Sequence, residues 1–330
     1  MRPFRALTVA LIFMASSLAR AEPVVSSGYK LETISLPGAA FAGLSRDGDT
    51  LLVTDLASGR LYRRGAEGRL IAFGPIFPHG RDVIGDPTGP YRVVRVDGML
   101  VAAQGWTPVN SDESPLDHAL VVIDGADSRV ISDDFWNPFD FVATGGGFYV
   151  VDSARNTIEH VQADGRKKTI LTFRRIEQAP EAMRRLSPTE FKEGGSVDID
   201  AVPTGIALRN GRLYIALFGG FPFLRGAGKI VSISEAGGAS EPRADVQDLN
   251  APVAIAFDSD GEMLVLEHGT YDQSQGFRKA TGRLLKFEAM TGRRRIILDG
   301  LTRPVSVLVW NGEQLVVSDL SGNLHFLRRE

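Results

Sequence analysis

Glu267 and His268 are the strongest candidates for acid–base chemistry in this sequence. A carboxylate beside an imidazole, with Tyr271 three residues after His268, can act as general acid and base or can ligate a metal ion. Asp140 is a third candidate catalytic group, because matching positions in other sequence repeats carry small residues. The alternative for Glu267 and His268 is a salt bridge or a hydrogen bond at the rim of the fold.

A second group of candidates is aromatic and would bind a ligand. Phe221 and Phe223 lie on one long loop with Arg225 near its end, and Trp106 lies on another long loop. Exposed rings beside one Arg suit a planar or apolar ligand or a protein partner. The alternative is that the rings only pack their loop onto the fold. His79, in a further long connection, is also a candidate ligand contact.

These candidates belong to a unit that recurs six times. Each unit has a proline, a short apolar stretch, a turn with Gly, a strongly apolar strand, a loop and another short strand. The prolines are Pro37, Pro87, Pro138, Pro203, Pro252 and Pro304, spaced by 50, 51, 65, 49 and 52 residues. Apolar five-residue strands must be covered on both faces, which a propeller achieves by packing each blade between neighbours. The sequence therefore predicts an all-β, six-bladed β-propeller.

The sixth unit is one strand short at the C-terminus, and residues 29–36 carry the missing pattern. We expect this first segment to pair with residues 324–327, complete the last blade and close the ring. Residues 22–330 would then be a single domain. The alternative, a sandwich or an open sheet, explains neither the six periods nor the match between the two termini.

Five long connections should lie on one face of the propeller. The strands of a blade alternate in direction, so fourth-to-first and second-to-third connections emerge on the same side. The long ones are residues 74–86, 105–118, 174–202, 218–228 and 268–282. Long loops on a rigid scaffold usually carry function, so the channel mouth on that face is the predicted site. Residues 180–193 are a candidate helical lid over it.

Asp140 is expected to project into the central channel. It is the third residue of a strand that starts with proline, and such strands are innermost in a blade. The positions matched to it in other units are Gly89, Gly205, Ala254 and Ser306. A solvated carboxylate in a water-filled channel is the alternative to a binding role.

Other catalytic templates are absent from the sequence. It has no Gly-x-Ser-x-Gly elbow, no Walker loop and no cysteine for a zinc site. Neither does it show the ring of inward Glu, Asn, Asn and Asp typical of lactonase-type propellers with a central metal. A divalent metal is compatible with the carboxylates and His268, but the sequence identifies no particular cofactor.

Two stretches resemble a known family. They are residues 137–156, which include Asn-Pro-Phe-Asp and Asp-Ser-Ala-Arg-Asn, and residues 201–223, which include Val-Pro-Thr-Gly and Gly-Phe-Pro-Phe. From about Pro37 onward, the chain is similar to the ScyD/ScyE family, secreted proteins named after members encoded with the scytonemin pigment pathway. The resemblance implies a six-bladed fold and export. It implies little chemistry, since most members have no assigned reaction.

Residues 1–21 read as a secretory signal with a basic start, an apolar stretch and an Ala-x-Ala cleavage site. Its ten apolar residues are too few to span a bilayer, which needs about 20. The expected location is periplasmic or secreted, with no membrane span after cleavage. Removal of three arginines leaves 34 Lys and Arg against 40 Asp and Glu. This balance disfavours a nucleic-acid partner.

Three functional hypotheses follow. The first is an exported propeller that binds a small molecule or a partner at its loop-rich mouth. The second is an enzyme, either a metal-assisted lactone or ester hydrolase or an oxidoreductase, that uses Glu267, His268 and Asp140. The third is a scaffold that binds an envelope protein, in which case Trp106, Phe221 and Phe223 should form a flat patch.

Overall fold

A computed structural model describes residues 22–82, 84–105, 114–178, 197–235, 241–312 and 314–330. These residues form six antiparallel four-stranded sheets arranged as the blades of a β-propeller. They are all-β and contain no helix. Accordingly, none of these ranges has a helix of the length and apolar character that crossing a membrane requires. The candidate lid over residues 180–193 lies outside the described residues.

Each blade has its strands, here called a to d, in order from the centre outward. Blade 1 contains Phe41–Asp47, Thr50–Asp55, Arg60–Arg64 and Leu70–Phe73. Blade 2 contains Pro90–Val96, Met99–Gln104, Ala119–Asp124 and Asp127–Ser132. Blade 3 contains Pro138–Thr144, Gly147–Asp152, Thr157–Gln162 and Lys167–Thr172.

The second half repeats the same order. Blade 4 contains Pro203–Arg209, Arg212–Leu217, Gly228–Ser234 and Arg243–Leu249. Blade 5 contains Pro252–Phe257, Met263–Glu267, Gly282–Phe287 and Arg294–Leu301. Blade 6 contains Pro304–Asn311, Gln314–Asp319, Asn323–Arg329 and, as its strand d, Tyr29–Ser35. Three short two-stranded ribbons lie in the connections between strands. They pair Gly80–Arg81 with Pro87–Thr88, Ile176–Gln178 with Val197–Ile199, and Tyr271–Asp272 with Gly276–Phe277.

The first described segment joins two blades. Tyr29–Ser35 pairs antiparallel with Asn323–Arg329, from Tyr29 opposite Arg329 to Ser35 opposite Asn323. This is the pairing that the sequence predicts. An addition that it does not predict lies just upstream, where Val24–Val25 pairs with Arg294–Leu301 as a fifth strand of blade 5.

Apolar side chains fill the spaces between neighbouring blades. Phe41 and Leu44 of blade 1 pack with Val316 and Leu324 of blade 6, and all four are fully buried. Fully burying one such side chain stabilises a fold by about 1.5–3 kcal/mol. Strand b of each blade is covered on both faces, which explains its nearly continuous apolar sequence.

Strand a begins later in blades 1 and 2 than the proline spacing predicts. It begins at Phe41 rather than at Pro37, and at Pro90 rather than at Pro87. Pro87 instead belongs to the ribbon formed by Gly80–Arg81 and Pro87–Thr88. Proline fixes its own φ but does not by itself mark the start of a strand. Hydrogen bonding to the neighbouring strand decides where strand a begins.

This shift changes the residue that matches Asp140. With strand a of blade 2 starting at Pro90, the matching third position is Arg92, not Gly89. Strand a of blade 2 therefore places an arginine beside the predicted carboxylate, at the position where blades 4, 5 and 6 carry Gly205, Ala254 and Ser306.

Candidate functional site

A cavity of about 180 Å³ opens at the mouth of the central channel. Its wall includes fourth-to-first connections, such as the one that carries Asp86, and second-to-third connections, such as the one that carries Phe277. The two kinds of connection therefore meet at one mouth, as the sequence predicts.

Two structurally equivalent positions provide much of the cavity wall. The first is the residue directly after strand b, represented by Leu56, Ser153, Phe218, His268 and Leu320. The second is the second residue of strand a, represented by Tyr91, Phe139, Thr204, Val253 and Val305. The propeller repeat therefore places ten side chains around one space.

Backbone hydrogen bonds fix the first of these positions in all six blades. The amide of the residue after strand b donates to the carbonyl of the residue before strand a. The donors and acceptors are Leu56 to Ala40, Gly105 to Gly89, Ser153 to Asn137, Phe218 to Val202, His268 to Ala251 and Leu320 to Arg303, at 2.9–3.1 Å. The side chains at this level are thus held by rigid blade ends rather than by loops.

His268 is the only histidine among the described residues of the cavity wall, and it is buried. Its Nδ1 lies 2.9 Å from the carbonyl oxygen of Pro304, so Nδ1 carries the hydrogen and donates it. Its Nε2 then accepts, at the long distance of 3.5 Å, from Nε of Arg303. Burial, and then the charge of Arg303, lower the pKa of His268 to about 3. The imidazole is therefore neutral at physiological pH.

The Nδ1 hydrogen bond of His268 also joins two blades. Ser153, at the equivalent position of blade 3, donates from Oγ to the carbonyl oxygen of Pro203 at 2.6 Å. Both side chains therefore tie the end of strand b to the first residue of the next blade. His268 combines this structural contact with a place in the cavity wall.

The side chain of Glu267 is held by structural contacts. Its side chain is fully buried, Oε1 accepts the amide of Asn250 at 2.8 Å, and Oε2 lies 2.5–2.7 Å from the guanidinium of Arg283. Asp152, at the same position in blade 3, accepts two amides in the corresponding way. The structure thus favours the salt-bridge alternative for Glu267, and its acid–base role stays a prediction that this geometry does not favour.

Asp140 lies on strand a of blade 3, the strand nearest the propeller axis, one residue after the wall residue Phe139. Its carboxylate accepts the amides of Phe141 and Ile206, at 2.8 and 3.2 Å, and lies 3.4 Å from Nε of Arg92. Burial raises the pKa of Asp140, while Arg92 and the two amides act in the opposite direction. The carboxylate therefore links blades 2, 3 and 4, and a role in ligand binding stays a prediction.

The predicted aromatic residues form a continuous cluster on blades 4 and 5. Phe223 lines the cavity, while Tyr271 contacts both Phe223 and Phe221, with ring centroids 4.9 and 6.2 Å away. Phe221 is 62% exposed at the outer end of the cluster. Phe277, which the sequence analysis missed, lies between Tyr271 and His268. The rings thus lead from the surface to the cavity wall.

The remaining predicted ligand contacts lie elsewhere. Arg225 is exposed and is not part of the cavity wall. His79 is not among the residues of the cavity wall, and its Nδ1 lies 3.0 Å from the carbonyl oxygen of Phe77. Trp106 lies outside the described residues. The structure therefore brings His268 and Phe223 together at the cavity. Tyr271 and Phe221 extend the aromatic cluster from Phe223 towards the surface.

Two carboxylates at the mouth were not predicted. Asp82 and Asp86 belong to the connection between blades 1 and 2, and both line the cavity. Oδ2 of Asp86 lies 2.5 Å from Nη2 of Arg303, which precedes strand a of blade 6. Burial raises the pKa of Asp86, and Arg303 acts against that effect. The pair joins the connection between blades 1 and 2 to the start of blade 6.

The described residues contain one group with metal-ligand spacing, and it lies away from the mouth. Asp258, Asp260 and Glu262 lie in the turn between strands a and b of blade 5, on the opposite face. The ammonium group of Lys286 lies 2.7 Å from Asp258 and 2.5 Å from Glu262. Within the described ranges, the mouth carboxylates and His268 do not gather in such a group, so they do not fit a divalent-metal centre.

Replacing Gly105 by Ala should disturb the cavity wall directly. A Cβ at Gly105 would overlap the ring of Tyr91 and would lie 2.6 Å from Oδ1 of Asn137. We expect the free energy of unfolding to fall by about 2 kcal/mol, because Tyr91 is buried and has little room to move. Urea unfolding measures this, with Gly145→Ala as control, where a Cβ has no neighbour within 4 Å. Equal stability of the two variants would contradict the packing described.

Comparison with known proteins supports the architecture. A gluconolactonase from Xanthomonas campestris is 13% identical over 93% of this chain and 94% of its own, with a TM-score of 0.59. A family AA12 carbohydrate-active enzyme from Trichoderma reesei is 13% identical over 98% and 100%, with a TM-score of 0.58. A catalytically inactive virginiamycin B lyase from Staphylococcus aureus, with quinupristin, is 12% identical over 91% and 99%, with a TM-score of 0.51.

The chain is a six-bladed propeller whose structural neighbours include gluconolactonases and virginiamycin B lyase. At these identities the likeness shows the fold alone. No family model matches the sequence, and no curated protein matches it.

Proposed function

We propose that this protein binds a small, largely apolar or planar molecule in the mouth cavity. The observation that carries this proposal is the composition of the wall, where five aromatic rings from blades 2 to 5 surround a few polar groups. The rings are Tyr91, Phe139, Phe218, Phe223 and Phe277. Ligand sites are typically concave and apolar, with a few polar groups that fix orientation. Phe223 faces a cavity, which favours this function over a flat patch for an envelope protein.

We also propose where the protein acts and to which family it belongs. Residues 1–21 support export to the periplasm or the medium, and residues 137–156 and 201–223 support membership of the ScyD/ScyE family. A small molecule reaching the mouth would then come from outside the cytoplasm. Phe221, exposed beside the cavity, provides an apolar surface for the part of a ligand that the cavity is too small to hold.

Hydrolysis or elimination is the second candidate function. His268 supports it, because a neutral imidazole in an apolar wall can take a proton from a bound molecule. The fold likeness to a gluconolactonase and a lyase is consistent with this candidate. With a pKa of about 3, however, His268 is a weak base, first because it is buried and second because Arg303 is adjacent. A base role therefore requires a ligand whose binding raises this pKa, for example by displacing the Arg303 guanidinium from Nε2.

Binding is tested by narrowing the cavity. Leu320 lines the wall and is only partly buried, so Leu320→Trp would place a large ring in the cavity. We expect indole, detected by saturation-transfer NMR, to bind the original protein and to bind this variant at least 10-fold more weakly. Met99→Trp, at the exposed start of strand b of blade 2 on the opposite face, should leave indole binding unchanged. Equal binding by the Leu320 variant and the original protein would contradict the proposed site.

The second candidate is tested with His268→Asn. Asparagine places its side-chain nitrogen close to the position of Nδ1, so it can still donate a hydrogen bond to the carbonyl oxygen of Pro304 but cannot act as a base. Loss of ester or lactone hydrolysis with indole binding retained would support catalysis by His268. Unchanged hydrolysis would contradict it.

A further inference from the structure

We propose that the ligand of the mouth cavity is an organic cation, an ammonium or amidinium group attached to an aromatic or apolar part. The inference rests on the proposed function, because it names the chemical class that this cavity would select. The inference is based on the charges of the wall residues and on the positions of the aromatic rings.

The wall has more negative than positive charge. Asp82 and Asp86 line the cavity, and the described lining residues include no Lys and no Arg. His268 contributes no charge, since its imidazole is neutral. Arg303, which is not itself part of the lining, offsets the charge of Asp86 through their ion pair. Arg81 also acts on Asp86 through its charge, but it is exposed and forms no ion pair with either carboxylate. Among the described residues, the wall is therefore left with one carboxylate that has no ion-pair partner.

Asp82 is that carboxylate. Its Oδ1 accepts the amides of Ile84 and Asp86, at 2.9 and 2.8 Å, which holds the side chain in the turn. Within the described ranges it has no ion-pair partner. A bound ammonium group would supply one, because a carboxylate close to an opposite charge in a partly buried site is strongly attracted to it.

The aromatic rings favour the same charge. The face of an aromatic ring is electron-rich and attracts a cation within about 6 Å of its centre. Tyr91 and Phe139 form one ring pair, with centroids 4.6 Å apart. An anion in this space would meet aromatic rings and Asp82, and the described lining residues offer it no Lys or Arg, so the wall disfavours it.

The carboxylates Asp82 and Asp86 line the same cavity as the rings of Tyr91 and Phe139. Burial raises the pKa of Tyr91 well above its usual range, and the charges of Asp82 and Asp86 raise it further, so both carboxylates act on the Tyr91 hydroxyl. The cationic group would therefore lie beside Tyr91 and Asp82. The apolar part would extend towards Phe223 and the other rings of blades 4 and 5.

Three molecules of similar shape test the inference: phenethylamine, phenethyl alcohol and 3-phenylpropanoate, measured by calorimetry with the full protein at low salt. We expect the amine to bind at least 10-fold more tightly than the alcohol, and the carboxylate to bind most weakly. Asp82→Asn should weaken amine binding about 10-fold and leave alcohol binding unchanged. Asn can still accept the two amide hydrogen bonds. Asp127→Asn, an equal charge change at an exposed hairpin of blade 2, is the matched control.

The possible results distinguish a failure of the cation inference from a failure of the proposed function. Equal affinity for amine and alcohol, tighter binding of the carboxylate, or an Asp82 variant with unchanged amine affinity would overturn the cation inference while leaving the cavity as a binding site. Binding of none of the three molecules would overturn the proposed function as well. Salt provides a measurement without mutation, because amine affinity should fall as ionic strength rises and alcohol affinity should not. Salt-independent amine binding would overturn the inference.

Discussion

Deleting residues 22–35 should lower the free energy of unfolding by about 5 kcal/mol or more. The deletion removes strand d of blade 6 and the short strand on blade 5, together with the partly buried side chains of Leu31 and Ile34. It also leaves Asn323–Arg329 as an unpaired edge, which promotes association between molecules. Urea unfolding measures the stability loss, and light scattering measures the association.

A synthetic peptide of residues 22–36 is the control for this deletion. Added in excess, it should restore most of the lost stability, because it can pair again with Asn323–Arg329. Glu32→Ala, at an exposed position of the same strand, should change the stability by less than about 0.5 kcal/mol. If the shortened chain unfolds at the same urea concentration as the original, the strand does not contribute as described.

Acid should destabilise the protein through His268. Its folded pKa of about 3 lies below its ordinary value of 6.5, so the unfolded chain binds a proton first. The contribution of His268 to stability is therefore complete above pH 6.5 and is lost as the pH falls towards 3. Between pH 6.5 and 5.0 we expect a loss of about 2 kcal/mol, and roughly twice that by pH 3.5. Urea unfolding over this pH range measures it.

His268→Gln isolates this contribution from that of the carboxylates. The variant should be less sensitive to pH between 6.5 and 5.0 by the same amount of about 2 kcal/mol. Met99→Gln, at an exposed position without a titrating group, is the control and should keep the original pH dependence. In NMR spectra of the original protein, the ring protons of His268 should not shift over this range. A midpoint near pH 6.5 for those protons would contradict a buried neutral imidazole.

Much of the fold could be predicted from the sequence because each blade repeats one pattern. The buried strand b of every blade contains the apolar run that the sequence shows, and strands a of blades 3 to 6 start at Pro138, Pro203, Pro252 and Pro304 as predicted. The location of both kinds of long connection at one mouth could be predicted from the alternating strand directions alone. Residues in the first turn after strand b, such as His268, could therefore be placed near the mouth from the sequence.

The site itself could be predicted only in part. Glu267 and His268 are neighbours in sequence, yet they point into different surroundings because Glu267 ends a buried strand while His268 follows it. Asp82 and Asp86 were missed because their positions depend on the short ribbon and on Arg303, which lies more than 200 residues away. Tyr91 and Phe139 had a usable signal, since each directly follows the proline that starts its strand a.

The placement of the first segment on the last blade also affects how the chain folds during synthesis. Thr33 contacts His325 across 292 residues, so the first strand is made long before its partner exists. At a typical 5–20 residues per second, this interval is roughly 15–60 s. Blade 6 cannot acquire its outer strand until translation is almost finished. Throughout that interval the apolar side of residues 29–35 has no partner strand to cover it. Pairing between residues so far apart in the sequence also makes folding slow.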